Sequence, residues 1–339
     1  MASQYTMEYL KELQGYPLEI KIQLTKQRIH EWVHRWGEDG VYISFSGGKD
    51  STVLLHIVRE MYPDVPAVFV DTGLEYPEIR NFVRTFDNVV WLKPEKNYKQ
   101  VIEEYGYPII SKEISERIYY AKQGARWAVR CMGGENPDGS KSEFKQRDKK
   151  YAFLVDSPIP ISHKCCVVMK KNPAKRYEKE TGRKPLLATM ACESNLRRTQ
   201  WEKTGCNAFD GKRPRSAPMS FWAEQDVLLY IYQNHIPIAS VYGDVIKENE
   251  IDGQFDFADI GLFDVGRPIL KTTGCNRTGC MFCGFGCHLE KEGDGRFERL
   301  KITHPKIYDY IMRPWEQGGL NYKEVIDWIN EHGDLHIRY

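Results

Sequence analysis

No stretch of this 339-residue chain approaches 18 uninterrupted apolar residues, the length a bilayer-spanning helix needs. The opening, MASQYTMEYLKELQGY, places Glu8, Lys11 and Glu12 where a signal peptide needs its apolar segment. The expectation is therefore a cytoplasmic protein with no membrane partner. An excess of either charge is missing too. The 48 Lys and Arg nearly cancel the 47 Asp and Glu, so overall charge does not mark a nucleic-acid binder. No internal repeat is present, which removes solenoids and propellers. With 41% hydrophobic and 12% aromatic residues the chain also lacks the composition of a disordered protein.

Cysteine, by contrast, is plentiful and unevenly placed. Of nine, four fall between Cys275 and Cys287 and two are adjacent at Cys165 and Cys166, while Cys131, Cys192 and Cys206 stand apart. An odd, bunched set in a chain with no export signal points to metal or redox chemistry rather than to a disulfide framework.

Along the chain, Ile20, Leu24, Ile29, Trp32, Val33 and Trp36 recur at helical spacing, and the helix should end near Gly37 and Gly40. VYISFS (41–46), AVFVDT (67–72) and VVWLKP (89–94) read as strands, with helices after the first two. This alternation predicts an α/β fold with a parallel sheet covered by helices on both faces. Three consecutive segments follow from it: an N-terminal helical segment (1–38), an α/β domain (39–240), and a small cysteine-rich, helical C-terminal unit (241–339). Within the second, residues 123–150 are glycine-, serine- and charge-rich and read as a flap. PLLATM (185–190) restores a strand, WAEQDVLLYIYQNH (222–235) a helix, and an acidic linker spans Asp244 to Asp264. Two closing helices are expected near 305–316 and 321–331.

Strand, then Ser46-Gly47-Gly48-Lys49-Asp50-Ser51, then helix, is an arrangement suited to phosphate. Glycines let the backbone approach, amides point into the turn, and the helix N-terminus favours an anion. Lys49 adds a cation, and Ser46 and Ser51 add hydroxyls. It is not a Walker A loop, because Ile43 stands where that motif needs glycine and Asp50 where it needs Ser or Thr.

SFSGGKDS, beginning at Ser44, resembles the pyrophosphatase loop (PP-loop) of the adenine nucleotide alpha-hydrolase superfamily. Further segments resemble the phosphoadenosine phosphosulfate reductase family within it: Val70-Asp71-Thr72-Gly73, Cys165-Cys166 before Lys170 and Lys171, Glu193-Ser194 with Arg197-Arg198, the pattern Pro218, Trp222, Asp226, Tyr230-Ile231, and Gly279-Cys280-Met281-Phe282-Cys283. The resemblance covers about residues 40–290. It implies ATP and Mg²⁺ as ligands. It places Ser44, Ser46, Gly47, Gly48, Ser51, Thr72, Gly73, Arg197 and Arg198 at the nucleotide, with Lys49, Asp50 and Asp71 in catalytic roles. Such enzymes cleave ATP between the α and β phosphates and activate an oxygen as an adenylate.

Cys275-x4-Cys280-x2-Cys283-x3-Cys287, interleaved with Gly274, Gly279, Gly284 and Gly286, can wrap a compact cofactor. The short spacings together with the resemblance favour a 4Fe-4S cluster, with zinc as the lesser alternative. The family offers two ligand sets. The adenylylsulfate reductases imply Cys165, Cys166, Cys280 and Cys283. The cluster-bearing DNA phosphorothioation enzymes imply the local four, Cys275, Cys280, Cys283 and Cys287, which is the set preferred here. Sulfonucleotide reductases end in a Glu-Cys-Gly-x-His segment with the attacking thiolate, whereas this chain has no cysteine after Cys287 and keeps Lys49 and Asp50. Both departures point toward ATP use and sulfur transfer. The alternatives are a sulfonucleotide reductase using Cys192 or Cys206, and a non-catalytic nucleotide- or nucleic-acid-binding accessory protein. Residues 162–215 hold fourteen Lys or Arg against five Asp or Glu, a solvated face or a contact for nucleic acid. A sulfur-donor protein completes the expected partners.

Overall fold

The loop-forming glycines follow the first strand of a mixed sheet whose strand order explains why a ligand pocket forms beside them. The structure, a computed structural model, describes residues 5–133, 140, 148–248 and 268–339. Much of the expected flap and most of the acidic linker lie outside the described residues. By internal contacts the chain forms two units, each discontinuous in sequence. The first comprises Met1–Asp71, Glu75–Leu92 and Ala174–Thr278, and the second Thr72–Leu74, Lys93–Pro173 and Gly279–Tyr339. This division differs from three consecutive segments, because the N-terminal helices share contacts with the sheet and residues 93–173 share them with the C-terminal helices.

In the first unit, β1 (Val41–Ser44), β2 (Ala67–Val70) and β3 (Val89–Leu92) are short runs of β-branched and aromatic residues. The order is β3-β2-β1-β5-β7-β6, with β5 at Lys184–Leu186, β6 at Asn207–Ala208 and β7 at Arg215–Ser216, while β4 (Ile109–Ile110) belongs to the second unit. Neighbours are parallel, with Ile43 opposite Ala67, Ala67 opposite Val89 and Val41 opposite Lys184. The exception is the edge strand β6, antiparallel to β7. Val41, Tyr42 and Ile43 are all buried. Successive strand residues point to opposite faces, so both faces of the sheet are covered. Tyr42 packs with Val68 and with Tyr177 of helix Asn172–Thr181.

Helix Leu18–Trp36 buries Ile29, Trp32 and Val33 and stops at Gly37, whose φ of 77° suits glycine. It packs on helix Lys49–Met61, which also meets helix Glu224–Asn234. The chain passes from β1 outward to β2 and β3 on one side, then to β5 on the other. The reversal between β1 and β5 is the topological switch point where open α/β sheets hold ligands beyond their strand ends.

The second unit pairs Ile109–Ile110 in parallel with Gly284–Phe285. A Cβ at Gly284 would lie 2.8 Å from the Pro108 carbonyl oxygen, so only glycine permits this approach. Around it lie helices Tyr98–Tyr105, Lys112–Lys122, Arg296–Thr303, Pro305–Met312 and Tyr322–His332. Asn97 and Gln100 close a capping box at the first of these. Tyr98 and Tyr322, both buried, meet hydroxyl to hydroxyl at 2.5 Å, and Tyr322 donates to the Phe282 carbonyl at 2.6 Å. No helix among the described residues is long and apolar enough to cross a membrane.

Candidate functional site

At the switch point a cavity of about 430 Å³ is lined by the loop residues Ser46, Gly48, Lys49 and Asp50. Met190, Cys192, Glu193 and Arg197, which follow β5, form another wall. Glu224, Tyr242 and Asn276–Thr278 complete it. Gly47 turns the loop with φ of 72° and packs so closely that a Cβ would lie 2.8 Å from both Ile79 and Val83. Ser51 is spent on the loop itself. Its hydroxyl donates to the Gly48 carbonyl at 2.9 Å, accepts the Ser46 amide at 3.2 Å and meets the Ser46 hydroxyl at 3.0 Å. Lys49 and Asp50 open helix Lys49–Met61, where their side chains line the cavity.

Charges in the cavity are matched across it. Lys49 Nζ lies 2.9 Å from Glu224 Oε1 and 5.5 Å from the centroid of the Tyr242 ring. Glu193 pairs with both Arg197 and Arg277 and accepts the Met190 amide at 3.0 Å. Ser194 caps helix Asn195–Thr204 by accepting the Arg197 amide, which sets Arg197 in the first turn. Burial pushes the Asp50 carboxyl above its ordinary range, an effect that Lys49, Arg277 and Arg197 oppose and Glu224 reinforces. Tyr242 and Thr278 hydroxyls meet at 2.5 Å.

The structure thus gathers Ser46, Gly48, Lys49, Asp50 and Arg197 from the expected set. Ser44 ends β1 and Arg198 follows Arg197, but neither lines the cavity. Asp71 is nearly buried and bonded to Arg80 at 2.8 Å, and it too is absent from the lining. Thr72 and Gly73 belong to the second unit, where Thr72 Oγ1 accepts the Leu74 amide at 3.2 Å. Glu224, Tyr242, Arg277 and Thr278 were not expected. Glu224 lies two residues after Trp222 of the recognised pattern, and Arg277 lies inside the cysteine segment, where the thiols draw the eye. Of the two thiols offered for a reductase reading, Cys192 lines this cavity. Cys206 lies elsewhere, accepting a hydrogen bond from Ser220 at 3.2 Å. Burial raises both thiols above their ordinary range.

Comparison with known proteins follows from this geometry. Residues 40–121 match the phosphoadenosine phosphosulfate reductase domain. The span covers β1, the glycine loop, β2 and β3, so the family match and the loop half of the cavity coincide. The chain is 27% identical over 210 residues to sulfate adenylyltransferase subunit 2 of Xylella fastidiosa, covering 58% of each chain. It is 25% identical over 252 residues to the protein of the same name from Xanthomonas axonopodis pv. citri, covering 70% of this chain and 72% of that one. The chain thus spans 58% of the length of the first of these relatives. A solved phosphoadenylyl-sulfate reductase from Candida auris is 16% identical, with a TM-score of 0.37 over 71% of this chain and 92% of that one. The sequence relatives are thus named as adenylyltransferase subunits, whereas the matching domain description is that of a reductase.

The second unit holds the other candidate centre. Cys165, Cys166, Cys280 and Cys283 line one small pocket with Tyr98, Lys170 and Phe282. The Sγ atoms of Cys165 and Cys166 are 3.9 Å apart. The hydrogen bond from the Cys165 thiol, helped by Lys112, Lys170 and Lys171, holds the Cys166 thiol below its ordinary range, while Cys165 is pushed up. Of the local four, Cys280 and Cys283 line this pocket. Cys275 belongs to the first unit, and Cys287 is buried with its Sγ 3.5 Å from the Cys283 carbonyl and does not line the pocket. Among the described residues no three His, Cys, Asp or Glu are arranged to hold a single metal ion.

Proposed function

We propose that this chain is an ATP-dependent nucleotidyltransferase that adenylates an oxyanion acceptor for later sulfur chemistry. The observation that carries the reading is the cavity at the switch point, which is lined by Ser46, Gly48, Lys49 and Asp50 of the glycine loop together with Arg197 and Arg277. The polyphosphate of ATP lies along residues 46–50, and the acceptor lies toward the arginines. An acceptor oxygen attacks the α-phosphorus, the bond to the bridging oxygen breaks, and pyrophosphate leaves with that electron pair. Loop amides and Lys49 stabilise the charge that develops on the leaving group. Asp50 would help hold Mg²⁺, which when bound offsets phosphate charge. A sulfur nucleophile then displaces AMP from the adenylated acceptor.

The relatives' names make sulfate the first acceptor to test, and the word subunit in them makes a second polypeptide a partner to seek. The basic segment 162–215 supports nucleic acid as an acceptor less directly. Several of its charges are already committed, since Arg213 pairs with Glu178 and Arg197 with Glu193. Cys192 in the cavity keeps a reductase reading in view.

For the second unit, the donor set fits a 4Fe-4S cluster held by Cys165, Cys166, Cys280 and Cys283. A polynuclear cluster spreads its thiolates more widely than one ion does, so a single-ion cage is not required. The cluster when bound supplies electron or sulfur relay, or braces the unit.

The test is pyrophosphate release from ATP and Mg²⁺ with and without sulfate. Sulfate-stimulated release that falls about 10²- to 10³-fold in Lys49→Ala supports the reading. Release unaffected by Lys49→Ala overturns it.

A further inference from the structure

Charged side chains at the glycine-loop cavity are paired with one another. Three cationic side chains line it, Lys49, Arg197 and Arg277, and three carboxylates answer them, Asp50, Glu193 and Glu224. Lys49 is bonded to Glu224, and both arginines are bonded to Glu193. Its side chains therefore offer no net charge to a polyphosphate carrying several negative charges, and Glu224 stands at the atom a phosphate oxygen must reach.

The two partners of that ion pair differ in freedom. The Lys49 side chain is 5% exposed, with its ammonium beside the Tyr242 ring, whereas Glu224 is 52% exposed. Glu224 opens helix Glu224–Asn234, where the helix dipole favours a negative charge without a partner. Glu224 can therefore swing away while Lys49 stays in place. Asp50, the neighbouring carboxylate, makes no ion pair among the described residues. Asp50 and Glu224 together give the loop side two carboxylates that a divalent cation can satisfy, and a cation that engages Glu224 releases Lys49 to phosphate.

Resting on the reading of this cavity as a polyphosphate site, we propose that Glu224 is a positioning residue that latches Lys49 and makes the pocket select metal-complexed polyphosphate over the free anion. The exchange is purely ionic. The carboxylate passes from the ammonium to the cation, and the ammonium passes to phosphate.

Titration calorimetry of the full chain with inorganic pyrophosphate, in Mg²⁺ and in EDTA, tests this. The wild type should bind at least about tenfold more tightly with Mg²⁺. Glu224→Gln should bind metal-free pyrophosphate about tenfold more tightly than wild type, so that the advantage of Mg²⁺ shrinks. Glu224→Ala should behave in the same way, which guards against an effect peculiar to the amide. Equal wild-type affinity in both buffers, or metal-free affinity unchanged in both variants, overturns the latch while leaving the polyphosphate site intact. No binding by the wild type in Mg²⁺ overturns the site reading and the latch with it.

Discussion

Lys21 Nζ lies 2.6 Å from Asp226 Oδ2, with the two side chains only 2% and 4% exposed. The same oxygen accepts the Ala223 amide at 2.8 Å, capping helix Glu224–Asn234. Beside it, Trp222 donates through its indole nitrogen to Thr25 Oγ1 at 2.9 Å. The Trp and Asp of the recognised sequence pattern thus fasten helix Leu18–Trp36 to the helix that carries Glu224.

Removing one partner of a buried ion pair leaves the other charge uncompensated, which costs about 3–5 kcal/mol. Lys21→Met should therefore lower the free energy of unfolding by about that amount in denaturant titration. A loss under 1 kcal/mol would mean that the pair contributes little to joining these helices.

Gly47 and Gly48 should respond differently to alanine. At Gly47 the new methyl meets Ile79 and Val83 at 2.8 Å with a positive φ. The expected loss is about 1–3 kcal/mol of stability together with pyrophosphate binding. At Gly48, where φ is −80° and the nearest neighbours are hydroxyl oxygens at 3.3 Å, Gly48→Ala should keep the stability and weaken only binding. Thermal unfolding beside calorimetry separates the two, and equal destabilisation would contradict the loop geometry.

Burial raises the folded-state pKa of Asp50 above its unfolded value. A raised carboxyl binds its proton more tightly when folded. The charged form therefore destabilises the native state at neutral pH, and the penalty is relieved as pH falls through the folded pKa. Asp50→Asn should raise the melting temperature at pH 7, and the gain should shrink as pH falls toward the ordinary carboxylate range. A gain independent of pH would remove ionisation as its cause.

The cysteines divide in the same way for iron. After anaerobic reconstitution, Cys165→Ser, Cys166→Ser, Cys280→Ser and Cys283→Ser should each lose most iron and sulfide, because serine replaces a soft thiolate poorly. Cys275→Ser and Cys287→Ser should retain them. Iron lost from the last two and kept in Cys165→Ser and Cys166→Ser would restore the local four as the ligand set.

The glycine loop, β1 to β3 and helices Leu18–Trp36 and Glu224–Asn234 were legible in the sequence, because strand alternation, helical periodicity and a tight turn are properties of adjacent residues. The closing helices were legible too, observed at Pro305–Met312 and Tyr322–His332. Spacing along the chain could not say which side chains meet. It left two cysteine sets open, and only the fold shows that Cys165, Cys166, Cys280 and Cys283 line one pocket. It gave no reason to join Lys49 to Glu224 across 175 positions, or to bring Arg277 into the phosphate cavity. Those meetings depend on how parallel strands with long crossovers stack in the sheet. Strand order is settled by which apolar faces pack together, and a local sequence pattern does not encode it.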